Sequence, residues 1–253
     1  MIVSLLIGKA ESTGVPGKNV RKILGRPACE YGFIAAKNSS YVDRMFVSTD
    51  SPEIARIGAE YGATHIQRPV HLATPESLTE DVFTHALGEI ERHLGVTATI
   101  ITVMFANNPA IDVSLFDEGI GRIMNDPSYD SAFSVSKFNM FSPARAKKVS
   151  ENGEIQPFID LDLLGEISSI RDSQGDCYFV DFAIQIMKRS CISEIVLGQK
   201  PLKWIGRRPL ALFNDYGFDI DTEWQFQVIE GWLRDYGYSE SDLPSFGEPK
   251  VRT

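Results

Sequence analysis

Cysteine is scarce in this 253-residue chain, and Cys29, Cys177 and Cys191 have no C-x-x-C spacing, which argues against a disulfide framework or a cysteine zinc site. No apolar run approaches the ~18 to 20 residues of a membrane span, and the start lacks the features of a secretory signal. The expectation is a cytoplasmic protein without a membrane partner. Positive charge is in deficit, with 25 Lys and Arg against 34 Asp and Glu and a net charge of -9. That balance disfavours nucleic acid as a partner, and any nucleotide must be gripped by a local basic pocket. The Walker triplet and G-x-G-x-x-G are missing, the four histidines lack metal spacing, and no nucleophile motif occurs.

What is present is an alternation of strand-like and helix-like runs, with 43% hydrophobic residues, enough for one sizeable α/β domain spanning residues 1–253. Strands are expected at Ile2 to Ile7, Arg44 to Ser48, Thr64 to Gln67, Ala98 to Met104, Ser131 to Val135 and near Leu210 to Asn214. Helices are expected at Pro27 to Asn38, Pro52 to Tyr61, Leu78 to Leu94, Val113 to Met124 and Thr222 to Tyr236. This order implies a doubly wound, mostly parallel sheet covered on both faces. The pattern turns irregular and polar from about Lys137 to Cys177, with a turn signal at Asn152-Gly153. Such an excursion is either a long active-site loop or an arm that packs on another subunit.

Chemistry concentrates after the strands, where α/β sheets bind ligands. The loop following Ile7 carries Lys9, Gly14, Pro16, Gly17 and Lys18, which reads either as a phosphate-holding loop or as an ordinary turn with solvated lysines. Ser48, Thr49 and Asp50 end the second strand, beside the N-cap pattern Ser51-Pro52. Arg68 ends the third strand, placed to meet a phosphate or carboxylate unless it is a surface arginine. Asp219 and Asp221 are two apart, so on an extended segment they share one side and can share a Mg²⁺ ion. Alternatively, Asp221 caps the helix that follows. Arg171, Tyr178 and Asp181 form a charged cluster near the irregular segment.

Taken in order, these pieces resemble the acylneuraminate cytidylyltransferase family. Residues Ile7 to Asn19 fall without a gap on the family's P-A-R-G-G-S-K-G-[IL]-P-x-K-N, and Asp43 to Asp50 on its D-R-[IV]-x-V-S-T-D. Arg68 to Ala73 match R-P-x-x-L-A, and Asp219 to Glu223 match D-I-D-T-E. The R-Q-x-L-P-x-x-[YF]-x-x-N-G pattern is half kept, by Arg171 and Tyr178, with Asp181 in place of asparagine and Phe182 in place of glycine. Lys9 replaces the loop arginine and Thr13 its lysine, and Met104 to Ile111 replace L-Q-P-T-S-P-L-R, putting Phe105 where the glutamine stands.

The resemblance implies a Rossmann-like nucleotidyltransferase fold with a dimerisation arm at residues 137–180. It also implies Mg²⁺-dependent transfer of CMP from CTP to a 2-keto-3-deoxy sugar acid, by a homodimer. Lys9, Lys18, Asp219 and Asp221 would carry the chemistry, with the metal on the two aspartates. Gly14, Gly17, Asn19, Arg68 and Thr79 would hold the nucleotide, and Arg171, Tyr178 and Asp181 the acid. The altered stretch around Phe105 implies a changed acceptor or base.

Overall fold

The computed structural model describes residues 1–11, 14–165, 168–170 and 173–246. Seven strands build the main sheet: β1 (Ile2–Ile7), β4 (Arg44–Thr49), β5 (Thr64–Gln67), β6 (Ile100–Phe105), β7 (Ser131–Lys137), β10 (Tyr178–Lys188) and β11 (Pro209–Asn214). Their order is β11-β7-β10-β6-β1-β4-β5. β1 runs parallel to β4 and β6, β4 to β5, and β7 to β11, while β10 is antiparallel to both neighbours. The expected mostly parallel sheet is therefore present.

β1 shows why its sequence carried no alternation. All but its last residue are buried, because helices cover both faces and each face demands apolar side chains. Helix α3 (Thr79–Leu94) packs Phe83 and Ile90 against Leu5, Ile101, Val103 and Trp204 on one face. On the other, α4 (Val113–Asn125) packs Phe116 and Ile120 against Ile100, Met104 and Ile186. The helices α1 (Glu30–Asn38), α2 (Pro52–Glu60), α5 (Ser190–Ser193) and α6 (Glu223–Tyr236) complete the layers. Ser51 caps α2 by accepting from the Ile54 N–H at 3.3 Å, with Pro52 in the first turn, as its sequence indicates.

The first helix starts three residues later than the sequence suggests. Pro27 is held in a two-residue ladder of β2 (Lys22–Ile23) with β3 (Arg26–Pro27), closed by Leu24 and Gly25 at φ of +46° and +77°. Between β7 and β10 the chain leaves the sheet and forms a hairpin of β8 (Lys147–Val149) and β9 (Ile155–Pro157). Asn152-Gly153 makes its turn, with Gly153 at φ +82°.

Candidate active site

A cavity of about 540 Å³ opens at the carboxyl ends of β1, β5 and β6, a volume suited to a small-molecule ligand. Lys9, Gly14, Lys18 and Asn19 line it from the loop after β1. Arg68 enters from the end of β5 and Thr79 from the start of α3, while Phe105, Asn107 and Asp221 close the remaining side.

The loop is shaped by its own sequence. The Lys18 N–H reaches the Val15 carbonyl at 3.2 Å with Pro16 and Gly17 between, and Gly17 sits at φ +68°. This is the proline-glycine reverse turn that a left-handed third residue allows. Gly17 thus shapes the loop and is not among the residues lining the cavity. Asn19 is buried and donates from Nδ2 to the Lys9 carbonyl at 2.9 Å, tying the two ends of the loop together. Gly14 passes so close to the segment before α6 that a Cβ there would stand 2.8 Å from the Asp221 carbonyl oxygen. Gly14→Ala is therefore expected to push the loop off the Asp221 segment and lower the melting temperature by about 3 °C. Thermal unfolding checks this, and an unchanged melting temperature would reject the close approach as a requirement.

Arg68 is a buried residue, not a surface one. Its guanidinium donates to the Ser48 carbonyl at 2.6 Å and lies near Asp50, whose charge partly offsets the pKa-lowering effect of burial. Arg68 also lines the cavity, and a guanidinium carries more N–H donors than these contacts use. The Lys18 ammonium stands 2.5 Å from Asp221 Oδ1, and Lys9 Nζ 3.5 Å from the Thr74 carbonyl.

Asp221 does not cap α6. Gln225 Oε1 accepts from the N–H groups of Asp221 and Thr222 at 2.6 and 2.7 Å, and Thr222 is the N-cap. The Asp221 carboxylate thus remains turned to Lys18 and the cavity. Asp219 lies behind it, accepting from Asn108 Nδ2 at 3.2 Å. Burial, and then the negative charge of Asp221, push the Asp219 carboxyl up to about 7. Two neighbouring carboxylates offer the hard oxygen donors that a divalent cation prefers.

The acid-binding group fares differently. Tyr178 is exposed at the start of β10 with its ring edge-on to Phe213, away from the cavity. Asp181 is buried, and its carboxylate accepts from Ser134 Oγ, from Ser136 Oγ at 2.6 Å, from the Ala183 N–H at 3.0 Å and from Asn214 Nδ2 at 3.0 Å. With four donors converging on it, Asp181 is a structural anchor, which corrects its assignment to substrate. Arg171 and Thr13 lie outside the described residues.

Two residues of this region escape a reading of residue types. Asn107 clamps the aspartate segment, donating from Nδ2 to the Ile220 carbonyl at 3.3 Å while its own carbonyl accepts from the Ile220 N–H at 2.9 Å. Asn108 bridges Asp219 to the Asp181 carbonyl, 2.8 Å away. Their signal is a polar pair directly after a buried strand.

Comparison with known proteins bears on this geometry. The sequence model of a family described as cytidylyltransferase matches residues 8–157. A post-translational flagellin modification protein B of Campylobacter coli is 26% identical over 248 residues, covering 96% of this chain and 99% of that protein. A CMP-N,N'-diacetyllegionaminic acid synthase of Campylobacter jejuni is 27% identical, covering 90% and 93%. Among solved structures, a CMP:2-keto-3-deoxy-manno-octonic acid synthetase complexed with CTP superposes with a TM-score of 0.64 at 16% identity, over 92% of this chain and 98% of the other. This last likeness is one of fold.

Proposed function

From a chain that belongs to the cytidylyltransferase family, we propose Mg²⁺-dependent transfer of CMP from CTP to the anomeric hydroxyl of a sialic-acid-like 2-keto-3-deoxy sugar acid, with release of pyrophosphate. The supporting observation is the convergence of Lys9, Lys18 and Arg68 on one cavity that also faces Asp221. Attack of a hydroxyl oxygen on the α-phosphorus forms one P–O bond and breaks the bond to the β-phosphate. Such a step needs charge neutralisation and in-line placement more than a covalent nucleophile.

In this reading the glycine loop and Lys9 cradle the triphosphate, and Arg68 fixes an anionic group from the opposite strand. Lys18 and Asp221 hold each other in register until nucleotide enters. Thr79 adds a hydroxyl at the start of α3. Asp219 and Asp221 would hold the magnesium ion, which would supply neutralisation of the charge on the departing pyrophosphate. The acid is assigned to the nonulosonates on the near full-length likeness to the legionaminic acid synthase, and the reaction to the cytoplasm, where CTP is available.

The segment 137–180 is the proposed dimerisation arm. Phe141, Val149, Ile155, Phe158 and Leu163 are all exposed on it, and clustered exposed apolar side chains mark interaction surfaces. By resemblance to the family's dimers, Arg171 would serve the partner's site by meeting the sugar carboxylate or a phosphate. Sedimentation at twice 28.2 kDa is the expected result, and a monomer at micromolar concentration would refute the arm.

The activity is tested by pyrophosphate release with Mg²⁺, crossing CTP, UTP, ATP and GTP against nonulosonic and octulosonic acids. Release with CTP and a nonulosonic acid is expected. Release with an octulosonic acid only would move the acceptor to that class. Absence of nucleotide binding would overturn the enzyme assignment.

A further inference from the structure

Two aromatic rings that the transfer chemistry leaves unused meet at the cavity wall. Phe105, at the end of β6, lines the cavity and stacks on Phe182 of β10, with ring centroids 5.6 Å apart and planes 27° from parallel. Phe182 has a φ of +59°, a left-handed backbone that a bulky side chain rarely adopts. The register of β10 against β7 shifts between Val180 and Gln185, and side chains pin the bulge on either side. Asp181 accepts from the Ala183 N–H at 3.0 Å, and Ser134 Oγ accepts from the Ile184 N–H at 2.8 Å. A strained residue persists only where its surroundings over-determine it, and these bonds do so. The two positions carry glutamine and glycine in the family pattern, and here both are aromatic and in contact.

Strand order tells which end of the cavity the pair occupies. β10 and β6 lie on one side of β1, whereas β4 and β5, with Arg68 at its end, lie on the other. The rings therefore stand on the flank away from Arg68. A phenyl face has no hydrogen bond to give, so a hydroxyl pressed against it loses water without replacement, whereas a methyl or a row of C–H groups does not.

We propose that Phe105, held in place by Phe182, is a specificity wall that seats an apolar face of the acceptor acid, such as the methyl of an N-acyl group. The proposal rests on the transfer reading above and narrows it to acids that present such a face. Phe105 touches the acid, and Phe182 is a positioning residue that acts through it.

The probes are N,N'-diacetyllegionaminic acid, with two acetyl methyls, and 2-keto-3-deoxy-manno-octonic acid, with hydroxyls in their place. Pyrophosphate release with CTP should favour the diacetyl acid in the wild-type protein. Phe105→Gln should raise the KM for that acid at least tenfold and leave the KM for CTP within twofold. Phe105→Leu, which keeps an apolar group and guards against a folding defect, should recover part of the preference. Phe182→Gly should raise the acid's KM by a smaller factor, again without touching CTP. A loss that falls on CTP would make the ring a nucleobase platform and overturn the proposal, as would an unchanged acid preference in Phe105→Gln. Saturation-transfer NMR separates the wall from the transfer reading, because it needs no turnover. Transfer from aromatic protons to acetyl methyls in the wild-type protein, lost in Phe105→Gln, supports the wall even where no pyrophosphate forms. Pyrophosphate release without that transfer overturns the wall and keeps the reaction, and no binding of either acid overturns both.

Discussion

Asp219→Ala and Asp221→Ala should each lower turnover on the order of 10³-fold, the scale expected when a group that offsets transition-state charge is removed. The two differ in what else they change. Asp221 is exposed and paired with Lys18, so its loss frees a cation at little cost to folding. Asp219 is held at a pKa of about 7 against an ordinary 3.8. A raised carboxyl favours folding fully below its unfolded pKa, and this contribution is lost as pH climbs from near 4 through 7. The difference is worth about 4 kcal/mol between the limits. The ligand-free protein is therefore expected to be more stable near pH 5 than near pH 8, and Asp219→Asn to flatten that slope. Magnesium, which favours the ionised form, should raise the melting temperature at pH 8 in the wild-type protein and not in Asp219→Asn. Thermal unfolding across this pH range, with and without Mg²⁺, checks both statements. A wild-type slope retained by the asparagine variant would remove Asp219 from the metal assignment.

Asp181→Ala should be the most destabilising single change of the site region. It strands two serine hydroxyls, a backbone N–H and an asparagine amide around a buried void. Breaking a buried charged network costs about 3–5 kcal/mol, or roughly 10 °C in melting temperature for a chain of this size. Asp181→Asn keeps one acceptor oxygen, and the serine hydroxyls can rotate to accept from its amide, so about a third of that loss is expected. Circular dichroism melts of both variants decide it. A melting point for Asp181→Ala within 2 °C of wild type would show that the network is not holding the bulge.

Much of the scaffold was legible because β1, β5 and α2 obey local rules. β1 and β5 have the bounds their composition implies, and Ser51-Pro52 opens its helix as its chemistry requires. Lys9, Lys18, Arg68 and Asp221 could be placed at one cavity because each follows a strand or precedes a helix on the same edge of the sheet. Burial was not legible. Asp181 reads as part of a charged cluster that holds the acid, yet Ser134 and Ser136, two apart on one face of β7, are what receive it. Their pairing depends on β10 entering the sheet antiparallel across an irregular segment, which no periodicity in either strand announces. Phe182 is similar, since its left-handed backbone is imposed by neighbours contributed from β7 and not by its own preference.

The pairing of Lys18 with Asp221 spans 203 positions of the chain, and this has a consequence for how the protein is born. At about 5–20 residues per second on the ribosome, the glycine loop is finished roughly 10–40 s before its carboxylate partners exist. During that interval the nascent chain carries the lysines and the arginine of the cavity without its acidic half. On the proposed reading competence for transfer arrives late, and a message truncated ahead of Asp219 yields a chain without the carboxylates assigned to the metal.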